Sequence, residues 1–196
     1  MRIIVISITF ILFSCGQKQF DGEIKTLDSL QKKVVEVQNN LSSLDSVTIN
    51  EISKEIPQTL ADLNKVYKPD SINIPISTLI NVYNSFRNYK ATFNMQRLRI
   101  TKEIPYTIKQ LEHLCTDLKN NSLKTEDANK YVLIEKKAAR EVIETFTNLK
   151  SQSVSKIAKY DSTLRLMDQL IDSLRTDSLN IQAIRLKMLK GRTKRR

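Results

Sequence analysis

Apolar residues recur along most of this chain in steps of three and four. From Asp21 to Leu44 the series is Leu27, Leu30, Val34, Val37, Leu41 and Leu44. That is an a/d heptad seam, and it predicts an amphipathic helix with Lys32, Lys33, Glu36, Gln38 and Asn39 on the solvent side. Asp45 to Thr48 interrupts the pattern. Thr48 and Glu51 have capping-box spacing, and Val47 and Ile52 have that of a hydrophobic staple. A second helix is expected to about Tyr67, with Ile49, Ile52, Ile56, Leu60, Leu63 and Val66 on one stripe. So short a break allows the first two helices to form either a hairpin or a jointed rod.

Lys68 to Pro75 reads as a turn, with Pro75 suited to the first turn of the next helix, where its missing N–H costs nothing. The third helix is predicted over about Ile76 to Lys119. Its stripe is Leu79, Val82, Phe86, Tyr89, Phe93, then Ile100, Ile104, Ile108, Leu111, Leu114 and Leu118. The stripe thins between Asn94 and Arg99, where Met95 and Leu98 are the only apolar members, and Pro105 predicts a kink. Asn120 to Thr125 is a polar turn, with Thr125 as N-cap and Glu126 and Asp127 in the positive helix start. The fourth helix should run to about Leu174. Its expected seam is Ala128, Tyr131, Ala138, Val142, Phe146, Leu149, Ile157, Leu164, Met167, Ile171 and Leu174. Ser151, Ser153 and Ser155 mark a weak point. Asp177 and Ser178 suggest the cap of a short last helix, Leu179 to Leu189, ended by Gly191 and followed by a frayed end. The expectation is an all-α fold: an elongated antiparallel bundle of three to four long helices with coiled-coil-like heptad packing.

One internal repeat stands out. Ser53-Lys54-Glu55-Ile56-Pro57-Gln58-Thr59-Leu60 returns 48 residues later as Thr101-Lys102-Glu103-Ile104-Pro105-Tyr106-Thr107-Ile108. A mid-helix proline costs about 3 kcal/mol, so two in one setting suggest a shared geometric role, such as paired kinks.

The N-terminus, MRIIVISITFILFSCG, has a different pattern. Arg2 precedes an apolar run, Ile3 to Phe13, broken only by Ser7 and Thr9. The run is about half the roughly 20 residues of a membrane-spanning helix, so it fits a signal-peptide h-region. Leu12-Phe13-Ser14-Cys15 resembles a bacterial lipobox, in which cleavage precedes the cysteine and the thiol receives diacylglycerol. By that resemblance residues 1–14 are a signal peptide and 15–20 a lipidated tether; the periodicity then makes 21–184 the helical bundle, and the charge makes 185–196 a basic tail. Membrane lipid would be the partner of acylated Cys15, and further acylation, as by palmitate, would make the anchor lasting. No acidic cluster follows the cysteine and no aspartate stands beside it. By resemblance this favours the cell envelope, on the periplasmic face of an outer membrane.

Composition sharpens the picture. Three glycines and four prolines leave little for phosphate-binding loops, which need glycine for close backbone approach. The formal net charge is +11, but Arg185, Lys187, Lys190, Arg192, Lys194, Arg195 and Arg196 hold much of it, so the body is only mildly basic. No nucleic-acid partner is expected. The tail is either a solubilising end or a contact for anionic lipid or envelope polymer. A lipidated start, helices and a basic end together resemble the murein lipoprotein of enteric bacteria, which joins peptidoglycan through a terminal lysine. This chain ends Lys194-Arg195-Arg196, so non-covalent contact is the form left open. An envelope protein, peptidoglycan, anionic lipid or a second copy along the heptad seam are the candidate partners.

Candidate chemistry is sparse. A bundle di-iron site needs two Glu-x-x-His motifs, and His113 is the one histidine. Zinc sites of the Cys/His type lack ligands. Haem held by His113 and Met95, Met167 or Met188 is conceivable, though there is no Cys-x-x-Cys-His. His113 and Asp117 are spaced to pair across one turn. Cys115 lies in the apolar pattern of Leu111, Leu114 and Leu118, as a core residue or an intermolecular disulfide. His113 and Cys115, two apart on a helix, point to different sides. No Gly-x-Ser-x-Gly elbow occurs. The expectation is a non-enzyme without catalytic residues, metal or cofactor, acting in a structural or interaction role. The alternative is a periplasmic small-ligand-binding or sensor-like module. Its groove would lie at Tyr83, Phe86, Tyr89 and Phe93, which otherwise pack as core.

Overall fold

The computed structural model describes residues 19–68 and 73–193. Within them every regular element is helical: α1 (Asp21–Asn40) with a 3₁₀ turn (Leu41–Ser43), α2 (Ser46–Val66), α3 (Ile74–Lys119) and α4 (Thr125–Thr193). The described residues thus have an all-α fold of packed long helices.

Contacts divide the chain into two compact units. The first joins α1 and its 3₁₀ turn, α3 from Arg97 onward, and α4 up to Asn148. Its interior holds Leu27, Val34 and Val37 from α1, Ile100, Ile104, Leu111 and Leu114 from α3, and Val132, Ala139, Val142 and Phe146 from α4. The second joins the chain from Leu44 through α2, α3 up to Gln96, and α4 from Leu149. Its core is Ile52, Ile56, Leu63, Tyr83, Phe86, Tyr160, Met167 and Ile171. Each unit is thus three helical segments closing on one apolar interior, the arrangement that a heptad stripe on every segment dictates.

The division on α3 falls where its stripe thins: Met95 and Leu98, to either side of it, are 66 % and 55 % exposed. The repeated octapeptide contributes one copy to each unit. Matched positions are buried alike: Ile56 with Ile104, Thr59 with Thr107, Leu63 with Leu111. Pro57 and Pro105 lie inside α2 and α3 on exposed positions, where water can satisfy the carbonyl each proline leaves without a donor.

Helix ends differ from expectation in several places. Asp45, not Thr48, caps α2: its carboxylate accepts the Thr48 N–H at 2.9 Å. Val47 is 65 % exposed, so no staple forms. Aspartate one position before the first helical residue reaches the free N–H groups directly. Asn73 caps α3 by accepting from Ile76 N–H, starting that helix at Ile74 with Pro75 in its first turn. At its far end Asn121 adopts φ 50°. Ser122 N–H then reaches back to the Asp117 carbonyl and Asn121 N–H to that of Leu118, the Schellman closure. Thr125 is the first residue of α4 rather than its cap, and its hydroxyl accepts from Gln19.

α4 itself neither stops at Leu174 nor ends at Gly191 but continues through Thr193. Exposed Asp177 and Ser178 cost a helix interior only about half a kcal/mol each, too little to break it. Its seam is also displaced by one residue in the first turns: Val132 and Ala139 are buried, whereas Tyr131 is 44 % exposed. The donors of Thr48 hold the Asp45 carboxyl below the usual carboxylate range. Replacing Asp45 with alanine should therefore destabilise the protein by about 1 kcal/mol at pH 7, measured by urea unfolding. The gap between wild type and variant should narrow below about pH 4, as protonation removes the acceptor charge.

Candidate functional site

The densest side-chain chemistry lies in the second unit. Tyr83 on α3 and Tyr160 on α4 are both fully enclosed, with rings stacked at 5.6 Å between centroids. Phe86 meets Tyr160 edge-on at 5.6 Å. The Tyr160 hydroxyl donates to Glu55 Oε2 on α2 at 2.7 Å, and it lies 3.2 Å from the Tyr83 hydroxyl. Its single proton is committed to the carboxylate, so Tyr83 is the donor of that second bond. Loss of solvent raises the pKa of both phenols, and the Glu55 carboxylate further holds the Tyr160 proton. The pair stays protonated at physiological pH and cannot serve as a base. Its work is to tie α2, α3 and α4 together at one level.

The four aromatic positions of the expected groove are therefore not alike. Tyr83, Phe86 and Phe93 are buried, and Tyr89 is half-buried with its ring tilted on Phe93 at 6.1 Å. The Tyr89 hydroxyl is buried without a partner among the described residues, and burial raises its pKa. Lys156 places its ammonium 5.8 Å from the Phe86 ring centre and 5.9 Å from that of Tyr89, a favourable cation–π arrangement. The cavity beside them, lined by Ile49, Ile52 and Ile157, measures about 10 Å³. That is the scale of one water, so a metabolite would have to displace packed side chains to enter.

In the first unit Cys115 is a buried core thiol. Its Sγ lies 3.4 Å from Asp28 Oδ1. Burial, with the Asp28 carboxylate beside it, pushes the thiol up to about 11, the opposite of what a nucleophile needs. His113 is exposed, and Asp117 accepts from the Ser122 hydroxyl. Among the described residues no three His, Cys, Asp or Glu side chains converge as a metal site, and no helix is long and apolar enough to cross a membrane. Cys15 and Lys194, Arg195 and Arg196 lie outside the described residues, while Arg185, Lys187, Lys190 and Arg192 sit on the last turns of α4.

A groove that the sequence did not suggest opens between α1 and α4 in the same unit. It is a solvent-open groove of about 680 Å³ whose lining includes Lys25, Lys33 and Arg140 together with Leu30 and Ile143. Comparison with protein families, curated proteins and solved structures finds no match to this chain.

Two tests follow from this geometry. Tyr160→Phe leaves the Tyr83 hydroxyl without its acceptor and should destabilise the protein by about 1–3 kcal/mol in chemical denaturation. Cys115 favours its protonated form when folded. Its contribution is thus complete below about pH 8.5, where an unfolded thiol ionises, and is lost as pH rises toward the folded value. Wild type should lose more stability than Cys115→Ala across that interval, and native Cys115 should resist iodoacetamide at pH 8.

Proposed function

We propose that the protein is a membrane-anchored envelope lipoprotein, acylated at Cys15, with a non-catalytic structural or interaction role through its helical bundle. The observation that carries this reading is the placement of Cys15 at the end of a short apolar run headed by Arg2. Such a run is too short to span a bilayer and is shaped for cleavage. Two or more acyl chains at about 0.8 kcal/mol per buried methylene make a durable anchor.

The described residues support the rest of the reading. Their side chains are used for helix packing, their thiol is buried and protonated, and their aromatic cluster is filled. Long helices with exposed charged faces present surface to a partner, either an envelope component or a second copy. The basic C-terminal residues, from Arg185 to Arg196, would add attraction to anionic lipid or wall polymer, and the periplasmic face of an outer membrane is the favoured location.

Cells expressing the wild-type chain should incorporate radiolabelled palmitate and hold the protein in the membrane fraction. Cys15→Ser should abolish the label and release the protein. Undiminished labelling of the serine variant would refute the anchor.

A further inference from the structure

We infer that the groove between α1 and α4 is a binding site for a phosphate ester carried on an apolar body, and that its source is an anionic lipid headgroup. Lys25 and Lys33 stand eight residues apart on α1, about 12 Å along its axis, and Arg140 faces them from α4. None of the three forms an ion pair with a carboxylate of the described residues. Glu144 is the one acid of the lining, even though it lies one turn from Arg140. The groove thus keeps a net positive charge that its own side chains do not neutralise.

Three cations converging on one volume recognise a multiply acceptor anion, and an arginine among them suits the paired oxygens of a phosphate. Ser29 adds a hydroxyl between the two lysines. Leu30 and Ile143 add apolar surface to the same lining, which a free inorganic anion would leave uncovered. The volume, about 680 Å³, lies within the range of about 300–1,000 Å³ typical of small-molecule sites. An amphiphile with an anionic head meets both halves of this lining.

The choice of source rests on the anchoring reading. Asp21 comes only six positions after Cys15, a span of at most about 20 Å when extended. The groove begins one turn further on, at Lys25. A chain acylated at Cys15 therefore holds these cations within reach of headgroups.

The test uses the full chain carrying Cys15→Ser, solubilised in a non-ionic detergent, so that acylation plays no part in any arm. Phosphatidylglycerol, phosphatidylcholine or soluble glycerol 1-phosphate is titrated in, and retention is read by native mass spectrometry. Phosphatidylglycerol should be retained, and the Lys25→Gln/Lys33→Gln/Arg140→Gln chain should hold it at least about tenfold more weakly. A charge-matched control, Lys54→Gln/Lys102→Gln/Lys159→Gln, should retain it as wild type does, and Glu144→Gln should tighten it. Equal loss in both triple variants, or equal retention of phosphatidylcholine, would overturn the site. Glycerol 1-phosphate held as tightly as phosphatidylglycerol would overturn the lipid source in favour of a free ester. Palmitate labelling is read separately, so failure of the anchor and failure of the groove give different results.

Discussion

Each unit closes only when the stripe of α4 that faces it is covered. From Val132 the buried positions of that helix advance in heptad steps through Ala139, Val142, Phe146 and Leu149 to Ser153, Tyr160, Thr163, Met167 and Ile171. α1 and the later part of α3 meet the first portion, and α2 and the earlier part of α3 meet the second. A leucine-sized side chain removed from water contributes about 1.5–3 kcal/mol. The repetition of such contacts, more than any single one, offsets the chain entropy that the helices surrender.

Polar residues sit in the buried stripes of the helices without penalty because most of them are answered locally. Ser153 donates to the Lys150 carbonyl at 2.8 Å, Thr163 to that of Lys159 at 2.7 Å, and Thr59 to that of Glu55 at 3.3 Å. Such bonds are indifferent to which helix lies opposite. Tyr160 is different, because its partners are on α2 and α3. Sliding α4 by a heptad would preserve much of the apolar contact but strand this hydroxyl, at a cost of about 1–3 kcal/mol. The tyrosine pair thereby favours one alignment among several that hydrophobic burial alone would tolerate.

The stripes of α1, of α2 and of α3 beyond Arg97 were legible because charge flanks their apolar residues; in the first turns of α3 no charge separates Leu79, Ile80, Val82 and Tyr83, and Tyr83 rather than Val82 is buried. α4 was less so. Tyr131, Val132, Leu133 and Ile134 are four apolar residues in a row, so periodicity alone fits more than one face, and the polar seam members Ser153, Tyr160 and Thr163 hid the phase further on. Asp177 and Ser178 mimic a helix start, yet nothing compels a helix to stop there. Asp45 and Thr48 both carry a cap-forming oxygen, and only backbone geometry decides between them. Core packing by Tyr83, Phe86 and Phe93 could be read from spacing. The basic groove could not, since Lys25, Lys33 and Arg140 look like ordinary surface residues until α1 and α4 are placed side by side.

The two units are interleaved along the chain. Residues 44–96 of the second are inserted between the two parts of the first, and the second is completed only by residues from 149 onward. A ribosome delivering the polypeptide from its N-terminus therefore presents α2 and the start of α3 long before the segment of α4 that covers them. In that interval Ile56, Leu63, Tyr83 and Phe86 have no third helix to lie against, and they are free to engage a chaperone or another nascent chain. The same interleaving means that no single cut divides the molecule into two self-sufficient halves: severing the chain after Asn148 keeps the first unit whole but strips the second of its closing helix.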